Sequence, residues 1–441
     1  MKSYKTIIGM KKILNIVFLL LLALPYGKAQ TVVIDGEIRP RVEYRDGYSK
    51  PILTTRDPAV FSSQRTRLGV IFTSGVLTTQ ITLQDARVFG QFSNTSSDAT
   101  TGIYEAWAEM LLLPGGTLKV GRQTIKYDDN RLFSASVWSI TGTTHDLALF
   151  KYNINDFQFH LGLAYNNNSE ISSETFYTPI DKYRSMGYLW LSTPTYKGFT
   201  ITGMFVAEGV QDTAGVGTAY KKTDLNQALT FGGNLKYADK NVPFSALATA
   251  YFQRGKSSTG KTMEGKLLAI KANYAITSDF SVSLGTDYLS GDNNGTTDGV
   301  QTNFKKLYGA NHTFNGYMDY WNNPLTQGLL DYYGNATYKF GKKLSLFGAY
   351  HIFNSEFTGK NKKNIEFGKN LGSEFDLLVT YKMNSWTTVQ GGYSMYFNTN
   401  NTLIAKDIAT TSTIPDVRLP QFGYIMFTIK PSFLNTTTTN K

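Results

Sequence analysis

Asp35-Gly36-Glu37-Ile38-Arg39-Pro40-Arg41-Val42-Glu43-Tyr44-Arg45 alternates, with charge mostly on odd positions and apolar side chains mostly on even ones. A period of two sends successive side chains to opposite sides of an extended backbone. The stretch is therefore a strand with one wet face and one greasy face. Thr388-Val389-Gln390-Gly391-Gly392-Tyr393-Ser394-Met395-Tyr396-Phe397 sorts the same way, with Val389, Tyr393, Met395 and Phe397 on one face. The periodicity gives no amphipathic helix longer than a few turns.

Working outward, strands of about nine to twelve residues lay over about eighteen spans. The first nine are 31–45, 64–74, 77–87, 102–113, 117–123, 143–152, 156–166, 185–193 and 198–208. The rest are 228–238, 243–254, 263–276, 279–290, 328–340, 343–354, 372–384, 386–397 and 420–430. The gaps carry the stronger signal. Gly75-Val76, Pro114-Gly115-Gly116, Asn153 to Asn155 and Gly341-Lys342 are tight turns, and between them fall polar loops at 46–63, 124–142, 167–184, 209–227, 291–327 and 398–419. Bacterial outer-membrane barrels alternate short periplasmic turns with long extracellular loops and hold an even number of strands. A soluble β-sandwich has no reason to keep that alternation. The expected fold is all-β: a transmembrane antiparallel up-and-down barrel of about 18 strands, with both termini on the short-turn side and no plug domain. Gln421 to Ile429 has the aromatic and aliphatic content of a closing strand.

The flanking composition agrees. Lys2, Lys5, Lys11 and Lys12 precede an apolar run from Ile13 to Leu24, and small residues stand at Gly27 and Ala29. That is the layout of a secretory leader over residues 1–29, with an apolar run too short to span a bilayer. Residues 30–441 then form one barrel domain in the outer membrane. Removing the leader takes away five lysines and no acids, so the net charge falls from +11 to +6. A moderate surplus on an exported chain suits anionic solutes and gives no reason to expect nucleic acid. Aromatic residues make up 14 % of the chain, with 28 Tyr and 28 Phe, against only 17 % charged. That excess is what interfacial girdles need. Gly187-Tyr188-Leu189-Trp190-Leu191 and Trp386 read as girdle aromatics, although rails for a sugar chain would look the same. The absence of cysteine rules out disulfides and thiolate chemistry.

Arginine is uneven along the chain. Arg39, Arg41, Arg45, Arg56, Arg65, Arg67, Arg87, Arg122 and Arg131 precede residue 132, and only Arg184, Arg254 and Arg418 follow. Arg39, Arg41 and Arg45 share parity on the first strand, as Arg65 and Arg67 do on the second. A charge facing lipid near the midplane costs about 2–4 kcal/mol, so these side chains are expected to line the lumen as a ladder. A planar guanidinium suits it to carboxylates. Glu37, Glu43, Asp85, Glu105 and Glu109 are candidate partners, which leaves two readings open: an ion-pair network bracing the interior, and an anion-selective constriction.

A second constellation is Gly121-Arg122-Gln123-Thr124-Ile125-Lys126-Tyr127-Asp128-Asp129-Asn130-Arg131-Leu132, followed by Trp138 and Gly142 to Asp146. This run resembles the alginate-export-like outer-membrane proteins, whose members share a Gly-Arg-Gln strand end and a Tyr-Asp-Asp-x-Arg-Leu segment. Leu307-Tyr308-Gly309-Ala310-Asn311-His312-Thr313-Phe314-Asn315-Gly316-Tyr317-Met318-Asp319-Tyr320 is similar to the long-loop signature of members from Bacteroidetes-type bacteria. Leu371-Gly372-Ser373-Glu374-Phe375-Asp376 resembles their late inward-facing acidic strand. The resemblance spans most of the chain after the leader. It implies an eighteen-stranded barrel with an electropositive constriction. By that match Arg122, Asp129 and Arg131 lie in or beside the constriction, with Arg39, Arg41, Arg65 and Arg67 nearby. The arginine-poor C-terminal half departs from a lumen built for alginate itself.

Other signals are weaker. Gly291 to Gly299 offers oxygen ligands but no closing Glu for a calcium loop, so a polar loop is the expectation. His145, His160, His312 and His351 show no metal-ligand spacing. No Gly-x-Ser-x-Gly turn marks a hydrolase, so neither enzyme activity nor a cofactor is expected. The sequence predicts a porin or exporter for anionic solutes, including acidic saccharides, with outer-membrane lipid and periplasmic export components as partners. The alternatives are an adhesin or structural anchor whose long loops do the work, and a barrel hydrolase.

Overall fold

The computed structural model describes residues 30–92, 100–178, 182–213, 224–293, 299–409 and 414–436. The expected leader, residues 1–29, lies outside them, as do residues 294–298 of the weak calcium-loop candidate.

Eighteen antiparallel strands close on themselves among the described residues. They are β1 (Thr31–Asp46), β2 (Ala59–Ser74), β3 (Leu77–Val88), β4 (Gly102–Leu113), β5 (Gly116–Gln123) and β6 (His145–Ile154). Next come β7 (Phe157–Tyr165), β8 (Tyr183–Ser192), β9 (Phe199–Gln211), β10 (Leu225–Ala238), β11 (Phe244–Gly255) and β12 (Lys266–Ala275). The last six are β13 (Phe280–Leu289), β14 (Leu329–Phe340), β15 (Leu344–Asn354), β16 (Asn370–Lys382), β17 (Thr387–Phe397) and β18 (Gln421–Ile429). Each expected span coincides with one strand. β2 starts earlier than expected because β1 offers a backbone partner as far as Arg45, which faces Ala59.

β1 closes the barrel by pairing with β18 from Ile38↔Ile429 to Asp46↔Gln421. Closure is obligatory in hydrocarbon, where an open edge would leave amides without partners. Beyond Lys430-Pro431 the chain regains the ladder, with Ile34↔Leu434 and Val33↔Asn435. Pro431 has no N–H to give, but its carbonyl accepts from Gly36 at 2.9 Å. At the β6–β7 turn Asn155 and Asp156 take φ of 50° and 63°, the left-handed pair that a two-residue hairpin requires.

The pleat sorts the faces as the sequence predicts. On β1 Ile38, Val42 and Tyr44 are exposed to the lipid side, whereas Glu37, Arg39, Arg41 and Glu43 are buried inside. Tyr196, Tyr274, Phe340 and Trp386 stand exposed at the short-turn end, and Tyr165, Tyr350 and Phe397 at the loop end. These are the two girdles. Trp190 and Tyr188 point the other way and are buried in the interior core.

That interior is filled. The β5–β6 loop, residues 124–144, and residues 299–328 of the β13–β14 loop fold into the barrel. Phe133, Met318 and Trp321 have no exposed surface at all. Leu132, Phe133, Tyr308, Tyr320 and Trp321 pack with inward side chains of β8, β13, β15 and β17 in one apolar cluster. One short α-helix, Asn400–Ala405, caps this cluster from the β17–β18 loop.

Candidate functional site

The arginine wall follows from register. Arg39 on β1 faces Arg65 on β2, and Glu37 faces Arg67. Like charges directly opposite each other destabilise a sheet, so the wall needs acceptors. Glu37 binds Arg65 at 2.6 Å, and Glu43 takes Arg41 and Arg45 at 2.7 Å each. The remaining acceptors are backbone. Arg39 donates to the carbonyls of Val137 and of Ser139 (2.7 Å), Arg41 to Trp138 (2.9 Å), and Arg65 to Ser139 (3.0 Å). Arg67 reaches Thr141 at 3.2 Å and lies 3.4 Å over the Tyr104 ring. Hydrogen bonds to charged groups contribute about 1.5–3 kcal/mol each. The wall therefore fastens residues 137–141 of the inward loop.

From Arg41 a stack crosses the lumen. Its guanidinium lies 3.9 Å over Trp138, Trp138 lies 3.9 Å from His312 with planes 7° apart, and His312 lies 5.1 Å from Tyr317. Backbone bonds join the two inward loops as well. Ser134 N donates to Tyr308 O at 2.9 Å, Tyr308 N to Leu132 O at 2.8 Å, and Ala310 N to Asn130 O at 2.9 Å. The Tyr127–Leu132 and Leu307–Tyr320 segments, far apart in sequence, thus pair as short extended pieces. The Leu371–Asp376 segment joins them through Glu374, which accepts from Met318 N at 2.7 Å.

A second stretch of the inner wall, β13 to β16, is acidic. Asp287 on β13 faces Asp331 on β14, and His351 on β15 faces Glu374 on β16. Asp287, Asp331, Glu374 and Asp376 are all buried. Arg131 comes down from the inward loop to meet this wall. It binds Asp287 with both terminal nitrogens at 2.7 and 2.8 Å and Asp129 through Nε at 2.7 Å, above the Phe314 ring. Burial by itself would lower the Arg131 pKa, but the two carboxylates outweigh it and raise it. Nearby, burial pushes Lys306 down to about 8, with Asp287 only partly compensating. Its Nζ rests on the side-chain oxygen of Asn315 (3.0 Å) and the carbonyl of Asn322 (3.2 Å).

Of the residues singled out from sequence, Arg39, Arg41, Arg65 and Arg67 lie together on one inner wall. Asp129 and Arg131 lie inside the barrel against the acidic strands. Arg122 joins neither group, which corrects its expected placement. On β5 it shares parity with Val120, which is 46 % exposed to the lipid side. It sits one residue from the loop end of that strand and pairs with Asp146 at 2.9 and 2.8 Å, both largely exposed. The Gly-Arg-Gln resemblance carried the residue into the site, but the alternation of the strand turns it outward.

Sequence reasoning passed over Asp287 and Asp331, and noted His351 only as a histidine without metal-ligand spacing. A signal was available at two of them: Asp331 stands between Leu330 and Tyr332 and His351 between Tyr350 and Ile352, on strands where a charge has no other side to face. Lys306 gave no such signal, because its burial depends on how a loop folds. The histidine Nδ1 atoms bond Tyr183, Tyr127, Asp319 and Asp331, in the order His145, His160, His312 and His351.

The fold has solved relatives at low identity. Pseudomonas aeruginosa OpdO is 12 % identical with a TM-score of 0.60, over 91 % of this chain and 98 % of that one. Acinetobacter baumannii OccAB2 is 14 % identical with a TM-score of 0.59, over 91 % and 98 %. Pseudomonas aeruginosa OpdK, solved with vanillate, is 11 % identical with a TM-score of 0.58, over 93 % and 100 %. No curated protein matches the chain. The family model described as alginate export matches residues 32–414. The chain, an outer-membrane β-barrel with the porin fold, therefore belongs to the alginate export family.

Proposed function

We propose that this protein is an outer-membrane channel that passes anionic solutes, acidic saccharides among them, along its arginine wall. One observation carries the reading. A cavity of about 530 Å³ is lined by Arg39, Arg65, Arg67, Lys126 and Lys430. Only two carboxylates, Glu37 and Glu105, line it with them. Five cations against two acids give the lane a positive potential, which raises the local concentration of anions. Since loop carbonyls already occupy much of the arginine hydrogen-bonding capacity, the wall acts on a passing anion mainly through its field. Such weak binding is what conduction requires. Arg39, Arg41, Arg65 and Arg67 would set that field, and Asp129 with Arg131 would fix the loop that narrows the lane. Membership in the alginate export family and the vanillate in the OpdK structure agree with carboxylate-bearing solutes. Residues 1–29 would be the export leader, residues 30–441 the barrel, and the short-turn face the docking side for any periplasmic export component.

A second reading has its own support. The core around Phe133, Met318 and Trp321 fills the loop-side half as a soluble protein's core would, which suits a barrel that anchors its loops rather than conducting. Single-channel recording in a planar bilayer under a salt gradient separates the two. An anion-selective current, blocked by oligouronates and not by neutral oligosaccharides, supports the channel. A silent bilayer from correctly folded protein sinks it in favour of the anchor.

A further inference from the structure

The acidic wall encloses a recess that the channel reading does not use. Its volume is about 360 Å³, and it lies between β12–β16 and the 313–317 turn of the second inward loop. Its floor holds Asp376, which is 1 % exposed. Among the described residues Asp376 Oδ1 has no hydrogen-bond partner, and Oε2 of the adjacent Glu374 has none either. A buried carboxylate oxygen left without a donor costs free energy of the order of 1–3 kcal/mol or more. Such an atom can accept a hydrogen bond from a ligand's donor.

The charges leave room for a cation. Arg131 is held by Asp129 and Asp287. Lys271, on the β12 side, offers a second positive charge to those two acids. On the β15–β16 side two carboxylates share one imidazole. His351 Nδ1 lies 2.9 Å from Asp331, but its Nε2 is 3.8 Å from Asp376, too long for a hydrogen bond. Asp376 is thus left, among the described residues, without a cation at hydrogen-bond distance. Three aromatic rings, of Tyr317, Tyr333 and Phe347, line the recess with Asp376. A carboxylate at the end of an aromatic pocket is the arrangement that holds an ammonium or guanidinium group.

Access comes from the periplasmic side. The recess shares Asp129, Leu247 and Lys271 with a neighbouring cavity of about 1000 Å³. That cavity extends to Asp156 and Thr193–Thr195, at or beside the short turns. Thr313 and Tyr317 line both this recess and the arginine lane, so the two sites lie on either side of one loop tip.

We propose that this recess is a binding site for the cationic head of an organic solute, with Asp376 as the counter-ion and Tyr317, Tyr333 and Phe347 as the cage. With the arginine wall across the loop tip, the lumen then favours zwitterions, a consequence that rests on the channel reading, whereas the site itself does not.

The test uses fluorine NMR on the full barrel in detergent, with 4-fluorobenzylammonium as probe and 4-fluorobenzyl alcohol as its neutral counterpart. Wild-type protein broadens the ammonium line and leaves the alcohol sharp. Asp376→Asn, which keeps the shape, weakens the apparent affinity about tenfold or more, the effect of losing one charged hydrogen bond. Phe347→Ala weakens it as well and serves should the first variant not fold. Equal broadening by the alcohol overturns the proposal. So does affinity unchanged in Asp376→Asn. Bilayer conductance of the same preparation reports on the channel separately. A silent barrel that still binds the ammonium loses the channel reading and keeps the site.

Discussion

Trp138 lies flat on His312, with ring centroids 3.9 Å apart and planes 7° apart, although 174 positions separate them in the chain. Trp138 is held from below by Arg41 of the barrel wall. The contact couples the first inward loop to the second, so both are fixed to the wall through one indole.

Trp138→Ala is therefore expected to free both loop tips at once. Aromatic pairs contribute about 0.5–1.5 kcal/mol beyond their buried area, and the Arg41 contact adds to that. Open-channel current should become larger and noisier than in wild type. Traces indistinguishable from wild type would show that the carbonyl anchors at residues 137–141 suffice alone.

Arg65→Ala leaves Glu37 buried without its main partner. Breaking a buried pair costs about 3–5 kcal/mol. The low end, about 3 kcal/mol, is expected because Lys430 lies 3.7 Å from Glu37. Adding Glu37→Gln should recover much of the loss. Urea unfolding in lipid vesicles measures both, and an unrescued double variant would place the cost in the loop anchors instead.

Arg122→Ala and Arg131→Ala should part ways. The Arg122–Asp146 pair is exposed on the outer face, where such pairs are worth roughly 0–1 kcal/mol, so reversal potential and stability should barely move. Arg131→Ala takes from Asp129 and Asp287 their hydrogen-bonded cation and leaves only the more distant Lys271 to offset them, and anion preference should fall. The reverse ranking in a bilayer would mean that the outer pair shapes the mouth of the pore.

The lumen should also respond to alkaline pH. With Lys306 pushed down to about 8 by burial, its charge is lost as pH rises through that value. Anion selectivity should step down between pH 7 and 9, and Lys306→Met should flatten the step. Lys406, lowered to about 8 by burial in the β17–β18 loop, accounts for what remains. Stability moves the other way. A lysine whose folded value lies below its ordinary 10.5 makes the unfolded chain the stronger proton binder between those limits, so the fold gains stability across that window. Reversal potentials against pH in both proteins are the measurement. A step of equal size in Lys306→Met would remove this lysine from the account.

Much of the barrel is written locally. Period-two alternation, tight turns and alternating loop lengths are properties of short stretches, so β1, β13 and β18 were legible without any knowledge of their neighbours. The facing of Arg39, Arg41, Arg65 and Arg67 was legible too, since a charge on a lipid-bathed strand has one tolerable side. Arg122 is the exception: its parity with Val120 turns it outward, at the loop end of β5, where Asp146 pairs it. Resemblance had pointed the other way because a motif carries no parity.

What the chain determined alone is therefore the wall: strand number, inside and outside, and the sign of charge on the first two strands. Tertiary structure alone decided what the wall encloses. Segments 124–144 and 299–328 have no periodicity to announce that they turn inward. Their burial depends on Arg39 and Arg65 finding carbonyls at 137–139, on Trp138 meeting His312, and on Arg131 reaching Asp287 from 156 residues away. Each contact joins residues that only closure of the barrel brings together. For that reason the acidic recess at Asp376 is a property of the folded molecule and of no single stretch of its sequence.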